Sequence, residues 1–453
     1  MYPNRGYLSS VDPVLHFGLG ASTQVQSVVV NWPDGTTQSL ENVNVDQTLV
    51  LHQEEAKQGR GPAKNPRPLF VEVKPPVDFV DKLSGKRDFD GEPLLLRAYS
   101  HLGPVINEKG EITDQNPWLL AYSSGAIPKA FSGNAYEPGR YPTVNKIKAT
   151  FTGEPLSDLP QSLEDVGKVN AAVWSDLNAD GNEELIVAGE WTPILIYAVE
   201  GETLKDVTDE YLPINHYGWW TALKVTDFNG DGKPDIIVGN QGLNNTFSAS
   251  PDQPVELHAT DYDGNGTIDP ILSYYGSDGK RYPDATRDEL LGQLAGLRKR
   301  YPNYKSYADQ TLDDVFPSWP EGTLHLKADR LETTLFLSQA DGTYAVAQLP
   351  LEVQYAPVHT ITELDFNDDG NADLLLCGND QLEKQRWGKS DANAGVLLRG
   401  DGKGGFAYVS QAVSGFQLTG DVRSVASVGN LLVFGIRGER VRAYRRSNTS
   451  VLK

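Results

Sequence analysis

Four short acidic segments constrain this chain more than anything else in it. Each follows D-x-[DN]-x-[DN]-G-x-x-[DE] and sits between apolar, β-branched-rich runs: AAVWSDLNADGNEELIVAGE, TALKVTDFNGDGKPDIIVGN, VELHATDYDGNGTIDPILSY and TITELDFNDDGNADLLLCGN. The aspartates that open them are residues 176, 227, 261 and 365, so the spacings of 51, 34 and 104 residues are irregular. Asp-Gly and Asn-Gly alone are ordinary hairpin turns. The whole pattern arises by chance at roughly 1 in 10⁵ start positions for average composition, and here it recurs four times in one apolar frame. The repeat predicts strand–acidic loop–strand units.

Cation chemistry explains the spacing. Ca²⁺ takes about six to eight oxygens at roughly 2.3–2.6 Å. Side chains at positions 1, 3 and 5 of a tight loop can converge on one point, a glycine at 6 allows the bend, the carbonyl at 7 can join, and the acid at 9 closes the shell. The candidate ligands are Asp176, Asn178, Asp180, Asn182 and Glu184 in the first loop, and Asp227, Asn229, Asp231, Lys233 and Asp235 in the second. The third offers Asp261, Asp263, Asn265, Thr267 and Asp269, and the fourth Asp365, Asn367, Asp369, Asn371 and Asp373. At position 7 (Asn182, Lys233, Thr267, Asn371) the ligand is the backbone carbonyl. An EF-hand takes its closing glutamate at 12, from a helix, whereas here a strand follows position 9. Magnesium prefers a rigid octahedron and retained waters. The absence of His and Cys from the pattern disfavours zinc and copper. About four Ca²⁺ ions are expected.

The 453 residues carry 40 Lys plus Arg against 61 Asp plus Glu, a net charge of −21. That excludes binding nucleic acid through a general basic surface. No apolar run approaches the ~18 residues of a membrane-spanning helix. The single cysteine, Cys377, rules out an internal disulfide framework and reads as a buried thiol in DLLLCGN.

Residues 1–55 read as a small β unit, with strands around VQSVVVN, TTQSL and QTLVLH. Residues 56–68 lie in a charged, Gly/Pro-rich linker. LFVEV, PLLLRAY and PWLLAYSS look strand-like. Within 284–316 the periodicity turns helical: Thr286 with Glu289 makes a capping box, Leu290, Leu291, Leu294 and Leu297 line one face, and Pro302 stops the helix. A second short helix is expected from about Ser306 to Phe316. ETTLFLSQADGTYAVAQLP and AGVLLRGDGKGGFAYVSQ each read as a hairpin, and LLVFGIRGERVRAYRR as two strands without an acidic loop.

The four loops resemble the FG-GAP or VCBS repeats of integrin-α-like β-propellers. The resemblance covers about 168–445, with weaker blade-like pieces from about 88. It implies four-stranded blades around an axis, with the calcium loop joining two strands of a blade. The expected fold is therefore all-β: a propeller over 69–453, of about seven blades, with a helical insertion, preceded by the small β domain. Arg5-Gly6-Tyr7-Leu8-Ser9, Asp12-Pro13, His16-Phe17-Gly18-Leu19-Gly20 and Trp32-Pro33-x-Gly35 resemble the ASPIC/UnbV domain, without its first strands. That family places a propeller before the domain, so the chain resembles the C-terminal part of a longer secreted or lipid-anchored bacterial protein. An extracellular, periplasmic or cell-surface location follows from the resemblance.

Two functions compete. One is a non-enzymatic, calcium-braced, monomeric module that recognises a protein or glycan. The other is a calcium-dependent polysaccharide lyase or glycoside hydrolase, for which no catalytic constellation stands out. Gly400, Gly402 and Gly405 lie in a hairpin context rather than strand-to-helix, so they do not make a phosphate loop. No GxSxG or HExxH motif occurs. Tyr217-Gly218-Trp219-Trp220 and the run Tyr301, Tyr304, Tyr307 suit either packing or ligand contact.

Overall fold

The structure is a computed structural model. It describes residues 168–447 apart from 202 and 385, most of 17–57, residues 67–82, and short pieces elsewhere between 4 and 155. The chain forms two compact units, Met1–Arg67 and Pro68–Lys453.

In the smaller unit, Gln24–Asn31 pairs antiparallel with Thr37–Asn44. The expected strand at QTLVLH is absent: residues 48–52 carry no strand, and a short 3₁₀ turn follows at Gln53–Glu55. Thr37 instead exchanges backbone hydrogen bonds with Lys57. His16 and the Pro33-Asp34-Gly35 turn lie outside the described residues.

The larger unit is a β-propeller. Sheet I runs Lys168–Ser175, Glu184–Thr192, Leu195–Glu200, Thr203–Asp206. Sheet II is Ala222–Thr226, Asp235–Gly239, Thr334–Ser338, Tyr344–Ala347, and sheet III is Val358–Leu364, Asp373–Gly378, Val396–Gly400, Phe406–Val409. Sheet IV is Asp421–Val428, Leu431–Arg437, Arg442–Arg446, with Phe70–Val73 as its outer strand. The first strands of sheets I to IV lie side by side in order, which is the radial arrangement of blades. Phe70–Val73 pairs antiparallel with Arg442–Arg446, so the start of the unit is tied to its end. The two hairpins and the terminal strand pair appear where the sequence indicates them. The expectation of about seven blades extends over 82–167, largely outside the described residues.

Two expectations change. The third acidic loop belongs to no blade in the radial series. Its sheet, ordered Arg281–Pro283, Asp269–Tyr275, Val255–Thr260, Leu324–Ala328, is inserted between the second and third strands of sheet II. The insertion is therefore mixed β and helix and spans 240–333, not the helical 284–316. Its helix begins as expected, with the Thr286–Glu289 capping box, but ends at Gln293. Leu294 leaves helical geometry (φ −99°, ψ 68°) and Ala295–Lys299 continues as 3₁₀, because Gly292 and Gly296 weaken the helix on both sides of that break. The second helix is shorter than expected, a 3₁₀ turn at Tyr304–Ser306 and one α-turn at Leu312–Val315.

Cores form between neighbouring sheets. Ile186, Ile196 and Trp220 pack with Ile236, Val238 and Phe336. Ile237 and Leu335 pack with Leu374, Leu376 and Leu398. Cys377 is fully buried between sheets III and IV, and burial pushes its thiol up to about 12. Gly239 and Gly378 end second strands where a Cβ would strike the carbonyls of Val358 and Pro357, so the inner strands approach too closely for a side chain.

Candidate metal centres

The four loops share one hydrogen-bond plan. The N–H of the sixth-position glycine donates to the first aspartate: Gly181 to Asp176 at 2.9 Å, Gly232 to Asp227 at 2.9 Å, Gly266 to Asp261 at 2.8 Å and Gly370 to Asp365 at 3.0 Å. These glycines have φ of 82–89°, and no atom stands within 4 Å of a Cβ at any of them. Backbone handedness, not space, therefore demands glycine. The seventh N–H (Asn182, Lys233, Thr267, Asn371) donates to the fifth side chain at 2.7–2.9 Å.

The ninth acid anchors each loop to the fold. Glu184, Asp235, Asp269 and Asp373 are at most 3% exposed. Each accepts the N–H of position 2, from Leu177, Phe228, Tyr262 and Phe366 respectively, at 2.8–3.0 Å. The other oxygen reaches out of the loop in three cases: Asp235 accepts from Ser338 N at 2.8 Å, Asp373 from Gly400 N at 2.9 Å, and Asp269 from Gln293 Nε2 at 2.6 Å. In sheets II and III this pins the loop to the end of the third strand.

Position 2, outside the acidic pattern, is apolar or aromatic in all four loops. Leu177 packs with Ile236 and Phe336 of sheet II, Phe228 with Leu374 and Leu398 of sheet III, and Phe366 with Leu432 and Phe434 of sheet IV. Tyr262 meets Phe316 edge-on at 4.9 Å. Each acidic loop thus sends a plug into the next sheet or, in the insertion, onto its helical part.

The electrostatics follow from this burial. Burial raises the pKa of Glu184, Asp235 and Asp269, and the other acids of the same loops (Asp176 and Asp180; Asp231; Asp261 and Asp263) push the same way. Asp373 is raised to about 6, by burial first and then by Asp369 and Asp365. The exposed fifth acids go the other way: the N–H groups of Asn182 and Asn371 hold Asp180 and Asp369 below the usual carboxylate range.

The loops differ in how far their acids converge. The carboxylates of Asp261, Asp263 and Asp269 offer oxygens all within 4.8 Å of one another, the one such triad among the described residues. In the other three loops position 3 is asparagine. Its amide nitrogen donates to the fifth acid: Asn178 to Asp180 at 3.1 Å, Asn229 to Asp231 at 3.2 Å and Asn367 to Asp369 at 2.7 Å.

These features define a class: a β-propeller whose blades carry acidic loops between first and second strands. Family comparisons place it further. The FG-GAP-like repeat matches residues 176–238, and the ASPIC and UnbV family matches residues 1–58. The chain thus carries an FG-GAP-like repeat within its propeller and an ASPIC/UnbV segment at its N-terminus. No curated protein matches it significantly. Among solved structures, the WD40 β-propeller domain of Doa1 is similar at 11% identity, covering 78% of this chain and 96% of that one, with a TM-score of 0.26. The computationally designed Ika8 protein is similar at 12% identity, 93% of each chain and a TM-score of 0.28. A putative glycoside hydrolase from Parabacteroides distasonis ATCC 8503 is similar at 8% identity, covering 82% of this chain and 97% of that one, with a TM-score of 0.29. Superpositions this loose say nothing about activity. Among the described residues, no helix is long and apolar enough to cross a membrane.

Proposed function

We propose that this protein is a calcium-braced β-propeller acting as a non-enzymatic recognition module for a protein or glycan, and that its location is extracellular, periplasmic or cell-surface. The observation that carries the metal reading is the ninth acid. Four carboxylates are buried, and beyond that burial acids of the same loop push each of them up: two acids for Glu184, Asp269 and Asp373, and Asp231 for Asp235. A buried charge is stable when paired or metal-bound, and a cation at the loop centre would supply what burial and like-charge repulsion take away.

The donor set fits a hard cation. Each loop offers three carboxylates, one side-chain amide and a backbone carbonyl at position 7. Ligands around one Ca²⁺ lie within roughly 5 Å of one another, twice the usual bond length, and the Asp261–Asp263–Asp269 triad already meets that limit. In the remaining loops the third-position amide oxygen accepts the fifth-position N–H (Asn178 from Asp180 at 2.8 Å, Asn229 from Asp231 at 2.9 Å, Asn367 from Asp369 at 3.2 Å), and metal binding would redirect that oxygen to the ion. Bound ions would hold each loop, and with it the position-2 plug, against the neighbouring sheet.

Thermal unfolding in EDTA and in about 2 mM CaCl₂ tests this. Extracellular-type sites with Kd near 10⁻⁴–10⁻³ M would each add about 0.6–1.8 kcal/mol at that concentration. A higher Tm in calcium, not reproduced by equal magnesium, is expected. Coincident curves would overturn the metal reading.

A further inference from the structure

The end of the propeller away from the acidic loops carries a cavity of about 340 Å³. Its walls come from two segments, 241–247 after the second strand of sheet II and 383–390 after the second strand of sheet III, with Trp219 between sheets I and II. The second strands start at the acidic loops, at Asp235 and Asp373, and end at Gly239 and Gly378. Both wall segments therefore begin at the opposite end of their blades.

One wall is aromatic. Phe247 meets Trp219 edge-on (5.7 Å, 85°) and Trp387 edge-on (5.3 Å, 88°). Trp387 is itself held by the cations of Lys384 and Arg386, 5.4 and 5.0 Å from its ring. Its indole nitrogen is buried and has no hydrogen-bond partner within the protein. The other wall is polar and pre-set. Glu383 accepts from Gln241 Nε2 at 2.9 Å and from Ser390 Oγ at 2.7 Å, so its carboxylate is fixed in place, and each carboxylate oxygen can accept more than one donor.

We propose that this cavity is a subsite for a neutral sugar ring. A pyranose is apolar on its C–H faces and a rim of hydroxyl donors and acceptors, which matches an aromatic wall facing a fixed carboxylate. The volume sits at the lower end of the ~300–1,000 Å³ range of small-ligand sites, enough for one or two rings rather than a long polymer. The cavity's lining sets one carboxylate, Glu383, against one ammonium, Lys389, so it carries no net charge and favours a neutral ring over a uronate that Glu383 would repel. The proposal rests on the recognition reading above and gives it an address.

The full chain is titrated with glucose, galactose, mannose, xylose and N-acetylglucosamine, and separately with glucuronate, following tryptophan fluorescence and saturation-transfer NMR. Saturable binding of at least one neutral sugar, with Kd of about 1 mM, is expected. Glucuronate should bind about tenfold or more weakly, and Glu383→Gln should narrow that gap. Trp387→Ala should weaken the neutral sugar about tenfold. Where that variant melts below the wild type, Ser390→Ala, which removes one of the donors that fix Glu383, should still weaken binding at least about threefold. No saturation by any neutral sugar up to about 100 mM, preference for glucuronate, or unchanged binding in the folded variants would overturn the subsite. Melting the same samples in calcium and in EDTA keeps the failures apart: a calcium shift without sugar binding removes only the subsite, and no calcium shift removes the brace.

Discussion

At the scale of single residues, the first and ninth acids of one loop do different work. Asp227 is half-buried and accepts from Asn229, Gly230 and Gly232 on the outer side of the loop, where water can replace it. Asp235 is fully buried and accepts two backbone N–H groups, from Phe228 and Ser338. Removing a buried acceptor costs about 1–3 kcal/mol for each donor left unpaired. In EDTA, Asp235→Ala should therefore lose about 2–5 kcal/mol by denaturant titration, and Asp227→Ala less than about 1 kcal/mol. In calcium each should additionally forfeit one ion and leave the other three sites in place. Equal losses for the two variants in EDTA would contradict the anchoring role. The acid positions are legible in the sequence because the same alternating spacing recurs four times. The plug at position 2 is not, since Leu177, Phe228, Tyr262 and Phe366 look like any apolar residue beside a strand until their cross-sheet contacts are seen.

At the scale of elements, local pattern indicated strands and loops but not partners. Ile236-Ile237-Val238 pairs with Thr334-Leu335-Phe336, and the sheet that divides them carries the same strand–loop–strand pattern as a blade. Nothing within a short window distinguishes the two, because pairing over almost a hundred residues is a tertiary property. The inserted sheet has its own titratable brace. His258 is 5% exposed, and its ring stacks on Trp319 at 4.2 Å and on His325 at 4.3 Å. Burial lowers its pKa to about 4; His325 and Arg281 act the same way, and Glu256 and Asp313 oppose them. The folded pKa is below the unfolded value of 6.5, so between those two pH values the unfolded chain binds the extra proton. Stability from this group is thus full above pH 6.5 and falls as the pH drops toward about 4. His258 Nδ1 has no hydrogen-bond partner, so phenylalanine forfeits nothing at that atom. His258→Phe should leave Tm nearly unchanged at about pH 7.5 and raise it relative to wild type at about pH 5. The same difference at both pH values would show that the imidazole is not held neutral.

At the scale of the whole molecule, the acidity and the closure of the fold are two separate supports. The −21 of the metal-free chain includes three carboxylates in each of four loops, and four bound Ca²⁺ would bring it to about −13. Closure, by contrast, is apolar and independent of metal. Phe70, on the strand that joins the start of the larger unit to its end, is 3% exposed and stacks on Phe416 at 4.6 Å. Its sequence context, FVEV, reads as a strand but carries no sign that its partner lies beyond residue 440. Phe70→Ala should cost about 3–5 kcal/mol, and because the strand links the first and last parts of one unit, the melt should shift as a single transition rather than acquire an early shoulder. The same variant separates distant from shared sites. Phe228, beside Asp227, packs in a different core from Phe70, so Phe70→Ala with Asp227→Ala should add within about 0.5 kcal/mol. Phe366, beside Asp365, shares the core of Phe70, so Phe70→Ala with Asp365→Ala in calcium should depart from additivity by about 0.5–3 kcal/mol. Additivity in both pairs would mean that the fourth loop, whatever it binds, does not act on the closing sheet through its plug.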